Sequence, residues 1–306
     1  MAIPQAQLET WANVGATGAP ALTHMSIRYA LETAGTSVVR GRNLDVFLQG
    51  SYRNATNIRT DSDVDVVVLS HEAFTRDTAR LIAVQREAEA RDFALLPGAT
   101  YPWADFRRDV LASLRAYYGA AGVREGNRAI EVDGGNGRLT ADVVPAIEHR
   151  VYTSYGVTLA VPRTHVDGIA FWDRAGNQVV NFPKQHIDNG QAKNALGRAN
   201  GNYKPTVRMF KNARRYLVER GRLGQVVAPS YFVECLLYNV PDALFVADRQ
   251  VAMRGILQWL NNANKLLFWC QNGQVLLFGL TATQWTMPNA DALIAAMTTM
   301  WNDWPI

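Results

Sequence analysis

Several features of other protein classes are missing from this sequence of 306 residues. No stretch of about 18 apolar residues occurs, so we expect no membrane-spanning helix. There are only two cysteines, with no CxxC pair and no HExxH motif, which argues against a disulfide framework and a zinc site. Residues 1–18 lack the basic and then apolar order of a secretory signal. Together these absences predict a protein of the reducing cytoplasm, with Cys235 and Cys270 as buried thiols.

Net charge is also small in this sequence. The net charge is only +4, which is too small to indicate a nucleic-acid-binding protein by itself. Hydrophobic residues make up 48% and charged residues 19%, the composition of a packed globular protein. The basic residues nevertheless concentrate in 204–222, and we expect Lys204, Arg208 and Lys211 to be the members that contact a ligand. Such a cluster suits a phosphate-rich small molecule as well as a polymer.

The pattern of apolar residues changes about two-thirds of the way along the chain. Short β-branched runs predict strands at 45–49, 63–69, 128–132 and 139–148, and Gly134–Gly137 between the last two predicts a hairpin turn. Beyond residue 182 the apolar spacing predicts mainly helices. We therefore expect an α+β catalytic core over 1–182, including its N-terminal helix, and a helical lobe over 183–306.

The segment from Phe47 to Leu69 carries the strongest chemical signal. An apolar strand ends in Gly50 and Ser51, and after a polar loop a second strand opens with Asp63-Val-Asp65. Residues two apart in a strand face the same side, so the two carboxylates should lie together. Two like charges in contact need a neutralising cation, and Mg²⁺ prefers such oxygen ligands.

A third carboxylate would complete a site for two metal ions. Asp142 is the best candidate, because it interrupts an otherwise apolar run, LTADVVPAI, that a hairpin could place beside the first two aspartates. Gly50 and Ser51 suit a phosphate group, since glycine permits close backbone approach and serine supplies a hydroxyl. The Walker motif GxxxxGK[ST] does not occur, so this is a different phosphate-binding arrangement.

These residues are where a family resemblance appears. The stretch GSYRNATNIRTDSDVDVVV resembles the nucleotidyltransferase superfamily of polymerase β, and more narrowly the bacterial relatives of cyclic GMP–AMP synthase, the CD-NTases of CBASS anti-phage defence. The later blocks VVNFPKQHIDNGQAKN, NYKPTVRMFKNARRYL and APSYFVECLLYNVPD are similar to clade E, the CdnE group. The resemblance implies a bilobal fold with a mixed β-sheet, a C-terminal helical lobe and an active site in the cleft.

The resemblance also implies roles for particular residues. Asp63, Asp65 and Asp142 match the catalytic, metal-binding carboxylates, and Gly50 and Ser51 match the motif that holds the donor triphosphate. In the helical lobe, the positions that match or neighbour nucleotide contacts are Lys211, Ser230, Tyr231, Lys204 and Arg208.

Asn181 matches the position where clade members place a residue that reads the base. Its amide can both donate and accept, and so can complement N3–H and O4 of uracil. The alternative interpretation is an ordinary turn asparagine before Phe182-Pro183.

The implied activity is synthesis of a uridine-containing cyclic dinucleotide, cyclic UMP–AMP or cyclic di-UMP, from UTP and ATP with release of pyrophosphate. The implied cofactor is a pair of Mg²⁺ ions, for which Mn²⁺ can substitute. The implied partner is a downstream CBASS effector that binds the product. The absence of a zinc-bearing insertion argues against activation by double-stranded DNA, and we expect a monomer with no membrane partner.

Two alternatives remain open at this point. The same carboxylates serve nucleotidyltransferases that act on RNA ends, small molecules or proteins, although an RNA-end enzyme would be expected to carry a wider basic surface. A catalytically inactive nucleotide-binding module could also keep the fold, but all three candidate aspartates are present here.

Overall fold

The computed structural model describes residues 2–15, 18–58, 63–156, 162–281 and 283–305. Their contacts divide the chain into two compact units. One unit contains a β-sheet and covers 17–52 and 61–183; the other is helical and joins 1–16 and 53–60 to 184–306. No helix of the described ranges is long and apolar enough to cross a bilayer.

The strands all lie in the sheet unit. Their bounds are β1 Leu44–Leu48, β2 Val64–Asp77, β3 Val123–Glu125, β4 Ile130–Val132, β5 Ala141–Ser154, β6 Thr164–Trp172 and β7 Gln178–Asn181. They form one mixed sheet in the order β1-β2-β5-β4-β3, with β6 pairing β5 farther along its length and β7 pairing β6. The α+β class and the mixed sheet expected from the sequence are confirmed.

Helices make up most of the remaining described structure. Those of the sheet unit are α2 Gly18–Glu32, α4 Ala83–Ala94 and α5 Trp103–Tyr118, together with the first three residues of α3 Gly50–Asn54. Those of the helical unit are α1 Gln5–Ala12, α6 Pro183–Asn194, α7 Tyr203–Glu219, α8 Ser230–Tyr238, α9 Arg249–Asn262 and α10 Met287–Asn302. The helices expected beyond residue 182 are present as α6–α10.

The central strand pair explains the unusual valine run of the sequence. β2 and β5 pair in parallel, and Val66 and Val68 pack into one apolar cluster while Val67 packs into another. Both faces of β2 are therefore buried, which is why the strand reads as a continuous apolar run instead of an alternating one.

A tight turn links β4 to β5. Gly135, Asn136 and Gly137 all have positive φ, at 137°, 53° and 81°, and β4 and β5 pair antiparallel on either side. Glycine and asparagine are the residues that tolerate this backbone region, so the turn fixes the register of β5. The hairpin predicted from the sequence is confirmed.

The helical unit has its own apolar core, built around α7. Phe210 and Leu217 are fully buried there, and Leu8 and Trp11 of α1 belong to the same cluster. The division thus differs from the predicted continuous core of 1–182 in two places. Residues 2–15 and 53–58 are grouped with the helical unit by their contacts, and Ile3, Leu8 and Thr56 are among those that are buried.

Both cysteines are free and buried, as the sequence predicted. Their thiols lie within hydrogen-bonding reach of each other, although the two residues are far apart in the chain.

Candidate active site

The sheet register brings two of the three predicted aspartates side by side. Asp65 on β2 lies directly opposite Asp142 on β5. Register partners on adjacent strands project from the same face of the sheet, so the two carboxylates are neighbours. Asp63 is exposed and immediately precedes β2. We call Asp63, Asp65 and Asp142 the acidic cluster.

The electrostatics of the acidic cluster show how closely these groups interact. Burial, followed by the charges of Asp142 and Asp63, raises the pKa of Asp65 from 3.8 to about 6. Burial, Asp63 and Glu131 likewise raise the pKa of Asp142. Like charges that repel each other in a partly buried site favour the protonated form. The charged groups of the described structure that shift these two pKa values are all carboxylates.

Sequence reasoning missed Glu131 as a neighbour of the acidic cluster. It lies on β4 directly opposite Asp142, and its Oε2 is 3.4 Å from Nε of Arg124 on β3. Counting back across the Gly134–Gly137 turn would have placed it there, because a hairpin turn fixes the facing pairs.

The acidic cluster fits a hard divalent cation. Carboxylate oxygens are the ligands Mg²⁺ prefers, and the raised pKa values reflect the repulsion that such an ion offsets. In the described ranges, however, no group of three His, Cys, Asp or Glu side chains is arranged so that it could hold a metal ion. That Asp63, Asp65 and Asp142 bind a metal together stays a prediction.

Gly50 is held against the acidic cluster by the first strand pair. β1 pairs antiparallel with β2, and the Gln49 amide donates to the Asp65 carbonyl at 3.0 Å. Gly50 has φ of +67°, and a Cβ there would overlap the Asp65 carboxylate. Ser51 follows, half-buried, in the first turn of α3. Only glycine therefore allows both the turn and this close approach.

Two cations predicted to contact nucleotide are buried within the helical unit. Lys211 is 2% exposed, and its Nζ contacts Glu234 and donates to the Thr56 carbonyl at 3.3 Å. Arg208 is 9% exposed and donates to the carbonyls of Ala12 and Ala55. Direct contact of either residue with a triphosphate stays a prediction.

The other predicted contacts of the helical unit are more open. Ser230 is exposed at the start of α8, and Tyr231 is 42% exposed with its ring stacked 5.4 Å from His186. Lys204 is half-buried at the start of α7, where burial and the nearby Arg53 lower its pKa. Their proposed roles as ligand contacts are compatible with this exposure.

Asn181 is the last residue of β7 and lies opposite Ile169. It is half-buried, and the described structure gives its amide side chain no hydrogen-bond partner. A turn asparagine usually bonds to a nearby backbone group. This amide is instead left with both its donor and its acceptor available.

Comparisons with known proteins agree with this fold. Residues 188–302 match the model of the cGAS/DncV-like nucleotidyltransferase C-terminal helical domain. The chain is 42% identical to the cyclic UMP-AMP synthase of Rhodothermus marinus, over 99% of each chain. It is 39% identical to the cyclic nucleotide synthase CdnE01 of Staphylococcus haemolyticus, over 99% of this chain and 100% of that one.

A solved structure also resembles this fold. It is that of Rhodothermus marinus CdnE c-UMP-AMP synthase with Apcpp and Upnpp, which matches with a TM-score of 0.85 and 41% identity. The match covers 99% of this chain and 98% of that one. The chain therefore belongs to the bacterial cGAS/DncV-like nucleotidyltransferases, and within them to clade E, the CdnE group. The resemblance inferred from sequence is confirmed.

Replacing Gly50 tests the close approach to Asp65. Gly50→Ala is expected to lower nucleotidyl transfer by about a hundredfold, because the new methyl group displaces the Asp65 carboxylate. The matched control is Gly41→Ala, since Gly41 also has a positive φ, +83°, but nothing within 4 Å of an added Cβ. Turnover and melting temperature are measured for both. Equal turnover in the two variants would contradict the proposed contact.

The raised pKa of Asp65 predicts a pH-dependent stability. Since this pKa is about 6 in the folded protein against 3.8 ordinarily, the folded state holds its proton more tightly. The stabilisation is therefore present below the ordinary pKa and is lost as pH rises towards the folded one. With divalent cations removed by EDTA, Asp65→Asn should increase the free energy of unfolding at neutral pH by about 1–3 kcal/mol.

Urea denaturation of wild type and Asp65→Asn across this pH range measures the effect. Glu87→Gln is the control, because Glu87 is exposed on α4. If the free energies of unfolding of wild type and of Asp65→Asn changed equally as the pH rises, the raised pKa could not belong to Asp65.

Proposed function

We propose that this nucleotidyltransferase is a cyclic dinucleotide synthase that makes a uridine-containing product, cyclic UMP–AMP or cyclic di-UMP. The observation that carries the proposal is the pairing of Asp65 with Asp142 beside Gly50, in a chain so similar to a cyclic UMP-AMP synthase. The product acts as a second messenger in CBASS anti-phage defence and reaches a downstream effector that recognises it.

The acidic cluster holds two Mg²⁺ ions, or Mn²⁺ in their place, through the carboxylates of Asp63, Asp65 and Asp142. When bound, such ions lower the pKa of an attacking hydroxyl and stabilise the charge of the leaving pyrophosphate. The repulsion that raises the pKa of Asp65 and Asp142 supports this role, since it makes a dication the natural counter-charge.

The reaction needs the chain mainly to position two nucleotides. A ribose hydroxyl of one attacks the α-phosphorus of the other, a P–O bond forms, and the bond from that phosphorus to the pyrophosphate oxygen breaks. A carboxylate of the acidic cluster accepts the hydroxyl proton. A second such step closes the ring, so two triphosphates give one cyclic dinucleotide and two pyrophosphates. Orientation and charge stabilisation account for most of the rate in such transfers.

Each unit contains candidate nucleotide-binding residues of its own. Gly50 and Ser51 offer a close backbone and a hydroxyl to the donor triphosphate. Ser230 offers an exposed hydroxyl at a helix start, Lys204 offers a charge, and the open face of Tyr231 offers a stacking surface for a base. The sequence also predicted Arg208 and Lys211 as contacts, but both side chains are buried among protein partners.

Asn181 selects uracil. Its amide oxygen accepts from N3–H and its NH₂ donates to O4, a pattern that cytosine reverses. The unpartnered state of this amide among the described residues supports the assignment over that of a turn asparagine.

We propose that the protein works as a cytoplasmic monomer, without a membrane and without double-stranded DNA as activator. The missing zinc-bearing insertion supports the last point. A transferase acting on RNA ends, a small molecule or a protein is the alternative within the same chemistry. An inactive nucleotide-binding module is the alternative outside it.

A product assay tests the proposal directly. The protein is incubated with all four ribonucleoside triphosphates, each labelled in turn on the α-phosphate, with Mg²⁺ or Mn²⁺, and then treated with phosphatase. We expect a phosphatase-resistant product labelled by UTP, because a closed ring has no terminal phosphate. The double variant Asp63→Asn with Asp65→Asn should lose nearly all of it.

The same assay separates the alternatives. Label that phosphatase removes would indicate linear transfer to another acceptor. A resistant product without uridine would contradict the base assignment alone. Binding of nucleotides that persists in the double variant while wild type makes no product would favour an inactive module.

The base assignment has its own test. Asn181→Ala should reduce incorporation of UTP relative to ATP by about tenfold or more, since both hydrogen bonds to uracil are lost. Gln178→Ala is the matched control, because Gln178 is exposed on the same strand. Incorporation ratios are measured with mixed labelled triphosphates. An unchanged ratio with lowered stability would support the turn asparagine instead.

A further inference from the structure

In the segment 53–58, which follows the Gly50-Ser51 turn, three polar residues are buried to an unusual degree for a loop. Asn54, Thr56 and Asn57 are 6%, 2% and 2% exposed. The segment is grouped with the helical unit by its contacts, although both flanking motifs of the chain belong to the sheet unit. Buried polar side chains are costly unless they are hydrogen-bonded, so the bonds of this segment are informative.

Thr56 is bonded to a buried ion pair of the helical unit. Its hydroxyl donates to Oε1 of Glu234 at 2.6 Å and lies 3.2 Å from Nζ of Lys211, which also donates to the Thr56 carbonyl at 3.3 Å. Lys211 contacts the same carboxylate oxygen, and Nε2 of His186 lies 3.1 Å from the other one. We call Thr56, His186, Lys211 and Glu234 the buried anchor.

Arg208 holds the residue before Thr56. Its guanidinium donates to the Ala55 carbonyl and, at 2.6 Å, to that of Ala12. Ala55 has a positive φ of 56°, a backbone region that residues other than glycine rarely adopt. Such a conformation persists only where the surrounding bonds enforce it. Arg208 and Lys211 therefore donate hydrogen bonds to the carbonyls of two successive residues, Ala55 and Thr56.

From this geometry we propose that Lys211 and Glu234 are positioning residues, which act on the reaction through Thr56 and not by touching a nucleotide. The inference rests on the proposed function. The ammonium of Lys211 is fully used by the buried anchor, since its partners are one carboxylate, one hydroxyl and one carbonyl. An ammonium has three protons to donate, so none is left for a phosphate. The segment 53–58 that it fixes directly follows the phosphate-binding turn in the chain.

Thr56→Val tests the buried anchor, because valine keeps the shape and removes the hydroxyl. We expect turnover to fall by about tenfold to a hundredfold, with nucleotide affinity unchanged within about threefold. Amide hydrogen exchange over residues 53–58 should become at least about tenfold faster. Thr56→Ser should restore both values, since serine keeps the hydroxyl.

The matched control is Thr206→Val. Thr206 is fully buried on α7, but its hydroxyl has no hydrogen-bond partner in the described structure. Thr206→Val should change neither turnover nor the amide hydrogen exchange of residues 53–58. If Thr56→Val behaves like Thr206→Val in both measurements, the proposal is wrong.

The double variant Lys211→Met with Glu234→Gln distinguishes positioning from direct contact without leaving a buried charge. If Lys211 and Glu234 act by positioning, the double variant should show the same amide hydrogen exchange and turnover as Thr56→Val. Its binding of a non-hydrolysable UTP analogue, measured by calorimetry, should be unchanged. Binding weakened tenfold or more with normal exchange would overturn it. Exchange is measured without substrate, so it tests the buried anchor even if wild type makes no cyclic dinucleotide.

Discussion

The candidate site depends on one electrostatic constraint, the placement of two carboxylates on facing positions of paired parallel strands. Asp65 and Asp142 are fixed by the backbone bonds of β2 and β5 and cannot move apart without breaking the centre of the sheet. The surrounding valines bury both faces of β2, which withdraws water that would otherwise screen the charges. The sheet thus carries an electrostatic cost at neutral pH that a bound dication would reduce.

The two units handle buried charge in opposite ways. Burial disfavours the charge of Glu234, but Lys211 and His186 more than offset this and lower its pKa to about 2. The described charged groups that act on Asp65 are instead two carboxylates, those of Asp142 and Asp63, and the pKa of Asp65 rises to about 6. A charge that is satisfied internally is suited to holding structure, whereas one left without a counter-charge is suited to binding a ligand. This difference separates Lys211 from the residues expected to meet substrate.

The parts of the fold that sequence predicted are those with strong local signals. The valine run located β2, and the turn Gly134–Gly137 located β4 and β5 and so brought Asp142 beside Asp65. β6, β7 and α4 carry weaker signals and were not predicted, because they depend on packing against the rest of the sheet unit. β2 also continues to Asp77, past a register shift that no local pattern indicates.

Burial of charged side chains was the main thing that the sequence could not reveal. Lys204, Arg208 and Lys211 look equivalent as basic residues of one helix, yet only the last two are fully enclosed. Their partners, Thr56, Ala55 and Ala12, are distant in the chain, so no spacing rule connects them. The polar residues after Ser51 likewise resemble an exposed loop, and only tertiary contacts make them part of a core. A basic residue can match a family's phosphate contact and still be bonded to other protein groups. Its hydrogen-bond partners should therefore be identified before that role is assigned to it, because a fully bonded ammonium must first break bonds in order to bind a ligand.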